Sequence, residues 1–128
     1  MVLMAVFAQV VSAEQKQDEN QKAMLMFEAL FDAGIARSPI AQGYQGIKDN
    51  NDKWDDISLA AEKDDFEFTK SQLKQLQTID TAKLDDATML SYKLYEKKLS
   101  DDIKGYEWRH HNYPVNQMYG MHSRVPSF

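Results

Sequence analysis

Three long segments of this sequence repeat apolar residues at helical spacing, and little in the chain interrupts them. The 128 residues include only five glycines and three prolines, so few positions favour tight turns. No stretch of useful length alternates apolar and polar residues as a half-buried strand does. The chain is therefore predicted to be all-α.

The first predicted helix covers residues 20 to 36, the second residues 59 to 79, and the third continues from its cap at residue 85 to residue 108. Candidate N-caps precede them, namely Asp18 or Asn20, Ser58 and Asp85. The polar joint at residues 80–83 has the length of a turn between antiparallel helices. The sequence thus predicts a helical hairpin preceded by an N-terminal helix.

Apolar stripes on these segments indicate which faces are buried. On the first helix the stripe is Ala23, Phe27, Leu30, Phe31 and Gly34. On the third helix it is Tyr92, Tyr95, Leu99, Ile103 and Tyr106, flanked by Leu90 and Leu94. Residues three and four apart share a helix face, so each stripe predicts a packed surface.

Composition excludes several classes of function. The formal net charge is -5, and nucleic acids or anionic membranes require a basic surface instead. We therefore expect no nucleic-acid partner. The chain has no cysteine, which removes disulfides, thiolate metal sites and cysteine nucleophiles.

An uncharged, mainly apolar run occupies residues 1–11, and the chain becomes polar after Ala13. The run is too short to span a bilayer, which takes about 20 residues. Val11 and Ala13 lie at the −3 and −1 positions of a signal-peptidase site. We predict a signal peptide over residues 1–13 that lacks its basic start, a secreted or periplasmic location, and no membrane contact beyond export. An apolar helix that frays at the N-terminus is the alternative.

Four aspartates between residues 49 and 56 suggest a calcium loop. An EF-hand loop that begins at Asp49 needs an oxygen ligand at its fifth position and glycine at its sixth. Lys53 and Trp54 occupy those positions, so the motif does not fit. Since residues 40–56 also lack a helical period, we predict a solvated acidic loop that caps the second helix.

The three histidines, at positions 110, 111 and 122, form no recognisable metal motif. Adjacent histidines on a helix point about 100° apart, whereas a metal-binding pair is spaced i, i+4. Glu107 and His111 have that spacing but no third ligand at a matching interval. No glycine-rich phosphate loop, GxSxG elbow or HExxH motif occurs. We predict no catalytic residue, metal site or cofactor in this chain, and a hydrolase built on Asp or Glu pairs is a further hypothesis.

Residues 112–128 combine prolines, a glycine, amide side chains, methionines and aromatic residues. Such a segment is too apolar for a free tail and too irregular for a helix, so its backbone polar groups need partners. One interpretation is a loop pinned into a larger domain, and the other is the lining of a ligand cleft. The candidate cleft residues are Asn116, Gln117, Gly120 and His122.

Four motifs follow one another in a characteristic order along the chain. They are Ala36-Arg37-Ser38-Pro39, Trp54-Asp55-Asp56-Ile57-Ser58, Leu84-Asp85-Asp86-Ala87 and Asn116-Gln117-Met118-x-Gly120. This order resembles the N-terminal part of the bacterial family called domain of unknown function 885 (DUF885). The resemblance covers nearly all of the chain after the leader, and the last motif is its most specific part.

The resemblance implies a secreted or lipoprotein-type, mainly helical protein similar to the gluzincin zinc metallopeptidases. In that family the zinc-binding histidine motif lies far downstream of this region. No residue here matches it, so no ligand or catalytic base is carried over. The resemblance thus implies zinc in the full-length protein, a peptide substrate, and the remainder of the polypeptide as the partner of this chain. The absence of a lipobox cysteine favours a soluble periplasmic form.

On this basis residues 14–128 are expected to be an N-terminal helical fragment of an exported DUF885-type hydrolase. The three helices would form a partial layer of a larger, mainly helical, gluzincin-like domain that is incomplete at its C-terminus. The alternative is a complete small periplasmic helical binding or adaptor protein without catalysis.

Overall fold

Helices make up most of the described chain. The computed structural model describes the backbone of residues 2–109 and the side chains of residues 17–109. The helices are α1 (Val2–Ala36), α2 (Pro39–Tyr44), α3 (Leu59–Leu76) and α4 (Asp86–Gly105), and 3-10 turns lie at Thr81–Lys83 and Tyr106–Trp108. No strand occurs within residues 2–109, so the predicted all-α fold is confirmed.

The predicted hairpin is formed by α3 and α4. The aromatic rings of Phe66, in the first half of α3, and Tyr106, just after α4, stack with centroids 4.1 Å apart. The start of one helix therefore lies beside the end of the other, which is the antiparallel arrangement. Both predicted N-caps are confirmed, because the Ser58 hydroxyl accepts from the Ala61 amide and the Asp85 carboxylate accepts from the Thr88 amide.

Helix α1 packs across the hairpin, antiparallel to α3. Near the C-terminal end of α1, the Gln72 side-chain amide donates to the Leu30 carbonyl oxygen at 2.8 Å. Earlier on α1, the Glu19 carboxylate accepts from the Asp80 main-chain amide at 3.0 Å. The earlier residue of α1 therefore contacts the later residue of the pair Gln72 and Asp80, which is the antiparallel order. These two hydrogen bonds fix α1 against the second half of α3 and the connection that follows it.

The hydrophobic core lies where the three long helices meet. Its buried apolar residues are Ala23 and Leu30 from α1, Leu76 from α3, Ile79 and Leu84 from the connection, and Tyr92 and Leu99 from α4. Leu76 is fully enclosed. The core takes residues from each predicted stripe, and the partly buried Phe27, Leu73 and Tyr95 pack against it.

The predicted start of the first helix, at Asn20 with Asp18 or Asn20 as its cap, is wrong. Helix α1 begins at Val2. The reason is local, since residues 2–33 contain neither glycine nor proline and are rich in alanine, glutamine and methionine, which favour helix. Asn20 lies inside the helix, and its side-chain oxygen instead accepts from the Asp85 amide. Among the described helices, none is long and apolar enough to cross a membrane.

Two other predicted boundaries need correction. The segment predicted as one loop over residues 40–56 begins with the short helix α2, capped by the Ser38 hydroxyl and with Pro39 in its first turn. Proline suits this place because the first turn needs no amide donor. The second long helix ends at Leu76 rather than Ile79. Ile79 is nevertheless buried in the core.

Leu90 and Leu94 do not flank the buried stripe of α4 as predicted. They are 59% and 62% exposed. Buried Tyr92 and Leu99 lie on one side of α4, and Leu90 and Leu94 lie about half a turn away from them. Both leucines therefore belong to the outer face of the hairpin.

Candidate binding groove

An open groove of about 990 Å³ lies between α1 and the α3–α4 hairpin. It extends from Phe27 on α1 to Arg37, which directly follows that helix, and α3 and α4 form its other side. Leu30 of α1 and Gln72 of α3, which are joined by a hydrogen bond, both line it.

Aromatic and aliphatic side chains form the floor of the groove. Leu30 and Leu99 are buried there, and the rings of Phe27 and Tyr95 meet edge to face with centroids 6.0 Å apart. Burial raises the pKa of the Tyr95 hydroxyl, because a low-dielectric surrounding disfavours the phenolate. Phe31 also lines the groove and is 52% exposed. The floor therefore presents apolar surface that the described residues do not cover.

Arg37 joins the end of α1 to the start of α3. Its Nη2 atom donates to Asp65 at 2.6 Å and also pairs with Asp64, and its Nε atom donates to Asp65 at 3.0 Å. The guanidinium also lies 4.5 Å from the centroid of the Phe68 ring. The hydrogen bonds to Asp64 and Asp65 raise the pKa of Arg37. Arg37 thus has a positioning role at this end of the groove.

The rim of the groove is acidic. Five aspartates line it, Asp55, Asp56, Asp64, Asp65 and Asp102, whereas its cationic residues are Arg37 and Lys98. Both cations are already paired, since Lys98 donates to Asp102 at 2.6 Å. Negative charge therefore exceeds positive charge around the apolar floor.

Two of these aspartates have structural tasks. The Asp55 carboxylate accepts from the Ser38 hydroxyl at 2.6 Å and from the Ile40 amide at 3.1 Å, so it supports the start of α2. The Asp56 carboxylate accepts from the Ser58 amide, and this hydrogen bond lowers the pKa of Asp56. The predicted role of the acidic loop in capping is thus partly right, because the loop supports α2 as well as the start of α3.

A second cavity, of about 420 Å³, lies at the open end of the hairpin. The Phe66 and Tyr106 rings stack beside it, and the Arg109 guanidinium lies 3.9 Å from the Tyr106 centroid. Arg109 also donates to Glu62 at 3.1 Å. Asp65, Thr69 and Asp102 line both cavities, so this one adjoins the groove.

The sequence-predicted cleft residues Asn116, Gln117, Gly120 and His122 lie outside the described residues, as do the three histidines. Sequence reasoning missed the groove itself, together with the roles of Arg37, Asp64 and Asp65. Arg37 lies 27 and 28 positions before Asp64 and Asp65, so no local sequence pattern indicates that they are in contact. Only the packing of α1 on α3 brings them together.

The described residues do not fit a zinc ion. A zinc site takes at least three protein ligands, and across residues 17–109 no group of three His, Cys, Asp or Glu side chains is arranged to hold a metal. The groove carboxylates instead engage arginine, lysine, hydroxyl and amide donors. What this arrangement offers chemically is an apolar surface with a negative border.

Fold and groove together define an all-α helical layer with an open, acid-bordered apolar surface. The family model described as "Bacterial protein of unknown function (DUF885)" matches residues 39–128. The chain therefore belongs to the DUF885 family, and the resemblance predicted from its motifs is confirmed. Helix α1 precedes the matched region, although α1 supplies one side of the groove. No curated protein and no solved structure matches the chain.

Proposed function

We propose that this chain is the N-terminal helical part of an exported DUF885-type hydrolase, similar to zinc-dependent peptidases, whose metal site lies further along the polypeptide. Family membership supports this proposal, because the resemblance implies gluzincin-like relatives. The observation that carries it is the match of the DUF885 family model to residues 39–128. The apolar floor of the groove, which the described residues leave uncovered, agrees with packing against further polypeptide.

In this proposal the described helices support one side of a substrate cleft. Their core positions α3 and α4, and Arg37 holds the end of α1 to the start of α3. The segment containing Asn116, Gln117, Gly120 and His122 lies near the cleft. Zinc, when bound to the full-length protein, would polarise a peptide carbonyl and activate water. No residue among 17–109 is assigned a part in that chemistry.

The leader supports export to the periplasm. Its Val11-Ser12-Ala13 motif supports cleavage by signal peptidase after Ala13. Sequencing the N-terminus of the protein recovered from a periplasmic fraction should give Glu14 as the first residue. If the protein were found only in the cytoplasm, with its N-terminus intact, export would be contradicted. The family assignment would remain, because it depends on the match over residues 39–128.

The coding DNA beyond codon 128 tests the remainder of the proposal. The expected result is an open frame that continues to a helical motif of the HExxH type. A stop codon directly after Phe128 would contradict the proposal.

A complete small periplasmic binding or adaptor protein is the second candidate, and the size of the groove favours it. Ligand sites enclose about 300–1,000 Å³, and the groove of about 990 Å³ falls within that range. Titration calorimetry of the 128-residue chain with short basic peptides distinguishes the two candidates. Saturable binding without hydrolysis, together with a stop codon, would establish the binding protein.

A further inference from the structure

The distribution of charge along the chain is strongly one-sided. All 20 carboxylate side chains lie before residue 110, and residues 110–128 contain none. The same 19 residues hold Arg124 and all three histidines. They also hold seven large apolar or aromatic side chains, at positions 113, 115, 118, 119, 121, 125 and 128. This composition is the complement of the groove, which has an apolar floor and an acidic rim.

The groove also has specific exposed surface for such a segment. Phe31 is 52% exposed on its floor. The side chains of Asp64 and Asp65 remain 70% and 63% exposed although both pair with Arg37. Opposite charges across an interface set the position and register of a segment, and burial of aromatic surface provides the larger part of the stabilisation.

The connection between groove and segment is short. Arg109, the last described residue, lines the smaller cavity, which shares Asp65, Thr69 and Asp102 with the groove. Arg109 also donates to Glu62 on α3, next to groove-lining Ala61. From Phe27 to Arg37 the groove follows α1 for about 15 Å. Nineteen residues extend to about 60 Å, so the segment reaches all of it.

We propose that residues 110–128 of this chain occupy the groove between α1 and the hairpin. Tyrosine, methionine and valine side chains of the segment cover Phe31 and the floor, and Arg124 faces the aspartates of the rim. This proposal does not rest on the hydrolase function, since it concerns only the packing of this chain. It also explains how an irregular, apolar segment satisfies its need for a packing partner.

Paramagnetic relaxation enhancement in the full 128-residue chain tests the proposal. Because the chain has no cysteine, the single substitution Ser123→Cys allows one nitroxide label to be placed in the segment. Amide signals of Phe31, Gly34 and Ala61 in the groove are expected to lose intensity when the label is oxidised and recover when it is reduced. Signals of Ala82 and Lys83, in the turn at the opposite end of the hairpin, are the internal control and should keep their intensity.

Other occupants give different results. In a second sample, the nitroxide-bearing chain at natural isotopic abundance is mixed with a ¹⁵N chain that carries no nitroxide. Any loss of ¹⁵N signal in this mixture reports a contact between copies. Loss of groove signals in this mixture would show that a second copy fills the groove and would overturn the proposal. Unchanged groove signals within the labelled chain itself, or equal loss at Ala82 and Lys83, would also overturn it.

The charge on the segment has its own test. In the labelled Ser123→Cys chain, the additional change Arg124→Glu should reduce the loss of groove signals, whereas Arg124→Lys should preserve it. The lysine variant is the matched control because it keeps the positive charge. Equal losses in the two variants would overturn the charge complementarity on which the placement of Arg124 depends.

Discussion

The Gln72 side chain on α3 donates a hydrogen bond of 2.8 Å to the main-chain carbonyl oxygen of Leu30 on α1, and both residues are buried. This contact crosses 42 positions of sequence. It holds α1 against α3, and both residues line the groove. The contact thus helps to set the geometry of the proposed binding surface.

Replacement of Gln72 by leucine should destabilise the fold. A buried hydrogen bond contributes about 1 kcal/mol net to stability, and loss of one partner costs about 1–3 kcal/mol. We expect the free energy of unfolding, measured in urea, to decrease by about 1–3 kcal/mol. Gln75→Leu is the matched control, since Gln75 lies on the exposed face of the same helix. Equal effects of the two changes would show that the Leu30 contact is unimportant.

Two leucine-to-alanine substitutions compare the core with the outer face. Leu76 is fully buried, and its replacement should cost about 2–5 kcal/mol because a cavity remains. Leu94 is 62% exposed, and its replacement should change the free energy of unfolding by no more than about 0.5 kcal/mol. Chemical denaturation of both variants measures the difference. A larger loss in Leu94→Ala would mean that the outer face of α4 is covered by another part of the protein.

Acid should weaken the attachment of α1 to the hairpin. The hydrogen bond from the Asp80 amide, and then that from the Lys22 side chain, lower the pKa of Glu19 from its ordinary value of 4.5. A carboxyl with a lowered pKa in the folded state stabilises the fold fully above the unfolded pKa. This stabilisation is lost as the pH falls from about 4.5 through the lowered pKa.

The variant Glu19→Gln tests this pH dependence. It keeps an oxygen that can accept from Asp80 but cannot titrate, so unfolding free energy should fall less steeply below pH 4.5. Asp80 and Asp85 also have lowered pKa values, so part of the acid sensitivity should persist. Urea unfolding between neutral pH and pH 3 gives the comparison. Superimposable pH profiles of the two proteins would contradict the role assigned to Glu19.

Local signals made much of the fold predictable. Ser58 and Asp85 have side chains that cap the following amides, and each lies directly before a periodic apolar segment. Helix α2 had a local signal as well, since Ser38 and Pro39 form an N-cap and a first turn. This signal was missed, and residues 40–56 were predicted as one loop.

The groove and its contacts were not predictable from local patterns. They depend on where α1 lies across the hairpin, and this is set by the Gln72–Leu30 and Glu19–Asp80 hydrogen bonds. The sequence also placed Leu90 and Leu94 at the flanks of the buried stripe, because both are apolar and close to it along the chain. Their exposure follows from the side of α4 that faces α3, which the sequence pattern does not specify.

Zinc-dependent peptide hydrolysis by the full-length polypeptide is the most direct test of the proposed function. The account predicts about one tightly bound zinc per polypeptide, as expected for a mononuclear catalytic site. It also predicts hydrolysis of a mixed fluorogenic peptide set that a chelator abolishes and added zinc restores. The 128-residue chain alone should show neither property. Stoichiometric, tight zinc in this chain, or hydrolysis by the full-length protein that survives removal of all metal, would contradict the account.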